Sequence, residues 1–194
     1  MAMTNEELMQ ILTETGAYQS GHFKLSSGLH SANYIQCSQL LKFPRVAEKV
    51  CSEIAAMFKD DNIEMVVGPA IGGILVAYEV GRALNVPAIF AERENGVMTL
   101  RRGFHVEPGT RCLVTEDVLT TGGSAQEVVE LLQAQGAEVV SATSIIDRTP
   151  GNTLKLKVPF KSLIQLTFPT YQPDECPMCK EGQPIQKPGS RPGI

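Results

Sequence analysis

The chain has 194 residues, of which 43% are hydrophobic and 20% charged. That is the makeup of one globular domain with a sizeable core, and too little for two comfortable ones. A net charge of −4 and a pI near 5.4 argue against a nucleic-acid surface, so the positive charge for any anionic substrate must be local. No apolar run reaches the roughly eighteen residues of a membrane span, and "MAMTNEELMQIL" carries acids where a signal peptide carries positive charge. The five cysteines (Cys37, Cys51, Cys112, Cys176, Cys179) are an odd number, and three sit in apolar segments. The expectation is a cytoplasmic protein with reduced thiols, no membrane segment and no nucleic-acid partner.

Thr4 to Glu7 is a T-x-x-E capping box, and Leu8, Ile11 and Leu12 follow at helical spacing, which predicts a helix to about Thr15. "GHFKLSSGLHSANYI", residues 21–35, predicts a strand, a turn and a second strand. Pro44 opens a helix to about Phe58, with Val46, Val50, Ile54 and Met57 on one face. "IEMVVGPAIGG" then predicts a buried strand ending in a glycine turn, and "ILVAYEVGRAL" a helix. "VPAIFAE" and "TRCLVTED" are further strands, "GSAQEVVELLQAQG" is a helix stopped by Gly136, and "AEVVSATSIID" is another strand. Continuous Val/Ile/Leu strands alternating with helices predict an α/β fold, a mostly parallel sheet covered on both faces. Arg93 to Gly109 is polar and predicts a hairpin or mobile loop outside that sheet. After Pro150 come short strands and a Pro/Gly-rich tail expected to pack irregularly or stay partly mobile.

The chemistry concentrates in "CLVTEDVLTTGGSAQEVVELL", residues 112–132. In an open parallel sheet ligands bind beyond the carboxyl ends of the strands, where Glu116 and Asp117 fall. Thr120, Thr121, Gly122, Gly123 and Ser124 then lead into a helix, so N–H groups, hydroxyls and the helix dipole converge on an anion. The acids would repel a phosphate but suit ribose hydroxyls or a bound Mg²⁺. The plainer alternative is an acidic strand end with a helix N-cap at Ser124; two adjacent acids after a buried strand weigh against it. The segment is neither a G-x-G-x-x-G fingerprint nor a P-loop, since no lysine follows the glycines.

"LVTEDVLTTGGSA" resembles the signature of type I phosphoribosyltransferases, which bind 5-phosphoribosyl-1-pyrophosphate (PRPP). The resemblance implies that Glu116 and Asp117 contact the ribose, that Thr120 through Ser124 cradle the 5′-phosphate, and that Val118 and Leu119 belong to the PRPP-binding stretch. Four further stretches resemble the orotate phosphoribosyltransferase family: "TGAYQSGHFKLSSGLHSANYI", a hood over the base; "VVGPAIGGILVAYEVGRAL", the pyrophosphate-side loop at Ala70, Ile71 and Gly72; "IFAERENGVMTLRRGF", the catalytic loop; and "IIDR", ending at the base-binding Arg148. The Cys-Pro-x-Cys tail recurs in one bacterial subset of the family. The resemblance implies a single domain over 1–194. Its core spans about 41–150, and its hood is built from about 1–40 together with 151–194. It further implies PRPP and orotate as substrates, Mg²⁺ held through substrate near Glu116 and Asp117, and a homodimer. The reaction would be phosphoribosyl transfer to orotate in pyrimidine biosynthesis. Another base, or a PRPP-binding regulator without turnover, are the rival readings; an appended DNA-binding segment, expected of a regulator, is not in the sequence.

Arg93, Arg101 and Arg102 are the candidate catalytic cations with Asp117, since the departing pyrophosphate needs positive charge. A solvated charged hairpin is the alternative reading for them. The loop has arginines where the family usually has lysines, and Ser26 stands where it usually has lysine, with Lys24 two residues earlier. Thr120, Arg148, Lys24 and Ser27 are the candidate orotate contacts. Arg148 suits a carboxylate by a bidentate contact, or else forms a surface pair with Asp147 or Glu116. Gly72 and Gly73 either open the backbone to pyrophosphate or allow tight helix–strand packing. Cys176-x-x-Cys179 is half a metal site whose remainder would come from Cys37, Cys51, Cys112, a histidine or another subunit; two reduced thiols in a tight turn is the preferred reading. His22 and His30 flank the N-terminal turn, as base-pocket or hydrogen-bonding residues.

Overall fold

The capping box forms in the computed structural model, which describes residues 3–149 and 154–188. The Thr4 hydroxyl accepts from the Glu7 N–H at 3.1 Å, and the Glu7 carboxylate accepts from the Thr4 N–H at 2.8 Å. This starts α1 (Asn5–Glu14), whose Leu8 and Leu12 are buried. β1 (Tyr18–Lys24) and β2 (His30–Ile35) pair antiparallel, as the alternation predicts. The short α2 (Ser38–Leu41) precedes α3 (Pro44–Ala56), which Pro44 opens. Then follow β3 (Met65–Pro69), α4 (Gly72–Leu84), β4 (Ala88–Glu94), β5 (Val97–Leu100), β6 (Arg111–Leu119), α5 (Gly123–Ala134) and β7 (Glu138–Asp147). β8 (Phe160–Gln165), β9 (Thr170–Tyr171) and α6 (Pro177–Lys180) complete the order. The end of the predicted tail, 189–194, and residues 150–153 lie outside the described residues.

Six strands form the main sheet in the order β5-β4-β3-β6-β7-β8, parallel except for β5. Side chains alternate across it. Val66 and Leu113 join α1, α3 and α4 residues in one apolar layer. Val67, Cys112 and Val114 join Ala125, Val128, Val129 and Leu132 of α5 in the other. No helix among the described residues is long and apolar enough to cross a membrane.

Two expectations are corrected. The Arg93–Gly109 segment does form a hairpin, but its part up to Leu100 is not outside the sheet. β5 pairs with β4 through Arg93↔Met98 as the edge strand, because Met98, 7% exposed, packs into the α5-side layer and anchors it. The segment beyond 151 also divides. β8 joins the main sheet beside β7, with Ile164 in the core, while β9 adds to β2 in a separate three-stranded sheet. The described part of the tail is held in place: Gln186 accepts from the Lys24 N–H and donates to the His22 carbonyl, both at 2.8 Å.

The topology defines a crevice. From β3 the chain moves outward to β4 and β5, then returns to the other side of β3 as β6. α4 and α5 leave these adjacent strands toward opposite faces. Such a switch point opens a cleft beyond the strand ends.

Candidate active site

β3 ends at Pro69, and the chain turns through Ala70, Ile71 and Gly72 into α4. β6 ends beside it with Glu116 and Asp117. The two ends touch: a Cβ on Gly72 would lie 2.6 Å from Asp117 Cγ, Oδ1 and Oδ2. Gly73 has a different duty, since a Cβ there would meet Pro69 Cδ at 2.8 Å and the Thr115 carbonyl at 2.9 Å. The packing alternative for the glycine pair therefore holds at Gly73. Gly73 allows the helix to pack on the strands, and Gly72 leaves room for the acid.

Asp117 Oδ1 accepts from the Val118 N–H at 2.8 Å, which fixes the carboxylate at the strand end. Neither acid is ion-paired among the described residues. Burial first, then the adjacent Asp117 charge, hold the Glu116 carboxyl well above the ordinary carboxylate range. Burial also raises Asp117, opposed by the Val118 N–H that favours its ionised form. Uncompensated, partly buried carboxylates at a cleft are poised for hydroxyl donors or a hard cation. The oxygen donor set therefore fits Mg²⁺.

The turn after β6 is built for an anion. Gly122 sits at φ 75°, where a side chain would be strained and would press on Leu154 and Leu156 at 3.2 Å. Gly122, and not Ser124, is the N-cap of α5, and no side chain caps the helix. The first-turn N–H groups are thus left for a ligand, with Thr120 and Thr121 exposed beside them. The Thr121 carbonyl accepts from the Lys155 N–H at 3.0 Å and closes the turn from behind.

Arg148 lies at the neighbouring strand end, its N–H donating to the Leu119 carbonyl at 2.7 Å. The alternative reading, a surface pair with Asp147 or Glu116, does not form among the described residues. Asp147 Oδ1 is taken by the Thr149 N–H at 2.8 Å and the Thr149 hydroxyl at 2.5 Å. The Arg148 guanidinium instead stands 4.8 Å over the Phe168 ring, with its Nε buried and without a hydrogen-bond partner. Burial lowers its pKa. Tyr34 of β2 sits within the field of both Arg148 and Asp117, its phenol raised chiefly by burial, and packs on Phe23 at 5.7 Å. Tyr34 and Phe168 are site residues the sequence reading did not name. Tyr34 lay inside a quoted stretch, whereas Phe168 is brought in only by the return from β8.

The other candidates are not gathered here within one chain. Lys24 and Ser27 are exposed at the β1–β2 turn. Arg93 forks onto Glu127 of α5 at 2.7 and 2.9 Å, Arg101 pairs with Glu94 at 3.3 Å and Arg102 with Glu92 at 3.0 Å. Arg93 stands on β4, with β3 between it and β6, and Arg101 and Arg102 follow the edge strand β5, with β4 and β3 between it and β6. Cys176 and Cys179 meet His22 and His30, not Cys37, Cys51 or Cys112.

A parallel sheet with paired acids at its switch point and an uncapped glycine turn beside them is the arrangement of a phosphoribosyl-transferring fold. The chain belongs to the phosphoribosyl transferase domain family, whose model matches residues 36–170. It is 53% identical over 184 residues to the orotate phosphoribosyltransferase of Thermotoga maritima, covering 95% of this chain and 98% of that protein. With the orotate phosphoribosyltransferase of Pelotomaculum thermopropionicum it shares 52% over 189 residues, 97% of this chain and 99% of that one. Among solved structures, orotate phosphoribosyltransferase from Aeropyrum pernix superimposes with a TM-score of 0.67 at 28% identity, covering 82% of this chain and 93% of the other.

Proposed function

We propose that the chain transfers the 5-phosphoribosyl group of PRPP to orotate, giving orotidine 5′-monophosphate and pyrophosphate in de novo pyrimidine biosynthesis. The observation that carries the choice of base is Arg148: a half-buried guanidinium, stacked on Phe168, with an unpartnered Nε and no carboxylate against it among the described residues. Orotate brings the carboxylate it lacks, and uracil or a purine does not.

The remaining parts follow the geometry. Glu116 and Asp117 accept the ribose hydroxyls, and the first-turn N–H groups of α5 with Thr120 through Ser124 hold the 5′-phosphate. Ala70, Ile71 and Gly72 line the pyrophosphate side. Mg²⁺ would lie near Glu116 and Asp117 and supply charge neutralisation to the leaving group. Pyrophosphate departs from the anomeric carbon as positive charge builds on the ribose, and positioning with electrostatics carries the rate. A homodimer is supported by the exposed apolar side chains at the start of α4, Ile71 (77% exposed), Leu75 (48%) and Tyr78 (61%), at i, i+4 and i+7. In it the hairpin arginines would serve the partner's site. Free thiols throughout agree with a cytoplasmic setting.

The test offers purified protein Mg²⁺, PRPP and each of orotate, uracil, hypoxanthine, guanine and adenine, scoring nucleotide and pyrophosphate. Orotate alone should turn over. Arg148→Ala should cost about 2–5 kcal/mol in kcat/KM for orotate, the range for truncating one partner of a buried charge pair. Turnover of another base would replace the substrate assignment, and PRPP binding without turnover would favour a regulator.

A further inference from the structure

Four metal-ligating side chains converge on the hood, all outside the span 36–170 matched by the family. His22 comes from β1, His30 from β2, and Cys176 and Cys179 from the turn that carries α6. One ligand atom of each lies within 4.8 Å of the other three. His22 Nε2 is 3.0 Å from His30 Nδ1 and 3.6 Å from each sulfur, and Cys179 Sγ is 3.2 Å from His30 Nδ1. A tetrahedral zinc with two nitrogens and two sulfurs separates N from N by about 3.3 Å, N from S by about 3.6 Å and S from S by about 3.8 Å. The cluster is already near those edges.

The surroundings prepare the ligands. The Gln183 carbonyl lies 2.9 Å from His22 Nδ1. A carbonyl only accepts, so Nδ1 carries the proton and Nε2 turns its lone pair to the cluster. That single lone pair faces His30 and both sulfurs at once. A hydrogen-bond network can use it for one of the three, whereas a cation at the centre satisfies all four ligands together. His22, His30 and Cys176 are 3%, 5% and 0% exposed, so a net charge there would be costly. Two thiolates, two neutral imidazoles and a Zn²⁺ sum to zero, the two thiol protons passing to solvent on binding. Cys179 is exposed and leaves a route in.

We propose that His22, His30, Cys176 and Cys179 bind a structural Zn²⁺ that fastens the C-terminal tail to the β1–β2 hairpin. Without it the tail is tied to β1 by the Gln186 backbone bonds on either side of Phe23. Phe23 packs on Tyr34, so, on the orotate reading above, the metal also steadies the wall of the base pocket.

The experiment measures bound metal in untagged protein, kept reduced, incubated with ZnCl₂ and desalted, then repeats the loading with Co²⁺ after metal removal. One zinc per chain is expected. The cobalt form should show the intense visible bands of a tetrahedral site and thiolate-to-cobalt charge transfer in the near ultraviolet. Cys176→Ser and Cys179→Ser should lose most of the zinc and lower the Tm. With Mg²⁺ restored, zinc removal should raise the KM for orotate with kcat unchanged within about twofold. Absence of retained zinc in the wild-type protein, octahedral cobalt spectra, or a Cys176–Cys179 disulfide in protein isolated without reductant overturns the assignment. The metal readouts do not depend on which base is transferred, so failure of the orotate reading leaves this test intact.

Discussion

Gly72→Ala isolates the geometry of the acid at the switch point. The new Cβ would lie 2.6 Å from all three atoms of the Asp117 carboxyl group. Ordinary contact begins near 3.4 Å, so the carboxylate must retreat by about 0.8 Å, and its 2.8 Å bond from the Val118 N–H resists. Misplacement by about 1 Å at a reacting centre costs on the order of 10²-fold, so kcat/KM for PRPP should fall about 10- to 100-fold, or about 1.4–2.8 kcal/mol. Stability should move little, because Gly72 opens α4 with an ordinary φ and alanine favours a helix. Gly68→Ala is the contrast: its Cβ would meet the Gly73 carbonyl oxygen at 2.3 Å, which is backbone and cannot yield cheaply. That variant should lose Tm and soluble yield. Steady-state kinetics of pyrophosphate release, run beside thermal melts, separate the two. A Gly72→Ala enzyme with unchanged Tm and kcat/KM within about twofold of the parent would show that the Asp117 position is not tied to the reaction.

Glu116→Gln should stabilise the ligand-free protein while reducing its activity. The Glu116 pKa is raised in the folded state, so the stability it allows is complete below the ordinary carboxylate range and is lost as pH rises toward the raised value. The Tm advantage of the glutamine variant should therefore grow as pH rises above the ordinary carboxylate range, at about 2–4 °C for each kcal/mol relieved; a gap that does not change with pH refutes this. Arg93→Ala breaks a pair whose side chains are 41% and 40% exposed, so its loss should cost at most about 1 kcal/mol of stability. If kcat falls more than about tenfold with the Tm nearly unchanged, the arginine acts on the leaving group; if Glu127→Ala gives the same kinetic loss, the pair merely shapes the hairpin.

Most of the fold could be read from the chain because its signals are local. The capping box at Thr4, Pro44 at the start of α3 and the apolar runs at 65–69 and 112–115 each act over a few residues. So does the acid–acid–turn–helix sequence at 116–124, which is why it could be named as a candidate site before its geometry was known. What stayed hidden depends on long-range pairing. Nothing within 97–100 says that β5 will close the edge of the main sheet, because the deciding contact is Met98 against the α5-side layer. Phe168 gives no sign of its role until the return from β8 sets it under Arg148. His22 and His30 looked like turn residues, and Cys176 and Cys179 like a half-site, until the tail crossed back onto β1.

Stability and function pull against each other at the switch point and not in the hood. Two carboxylates are kept close together, partly buried and without an ion pair among the described residues, which costs folding energy that bound hydroxyls or a cation would return. Arg148 is likewise left with a buried, unpartnered Nε. A sequence selected for stability alone would pair Arg148 with Glu116 or Asp117, which lie on adjacent strands near the same edge of the sheet. Their separation here is informative. On the orotate reading, an acidic base would supply the carboxylate that Arg148 lacks, and the ribose the hydroxyl donors that the acids lack.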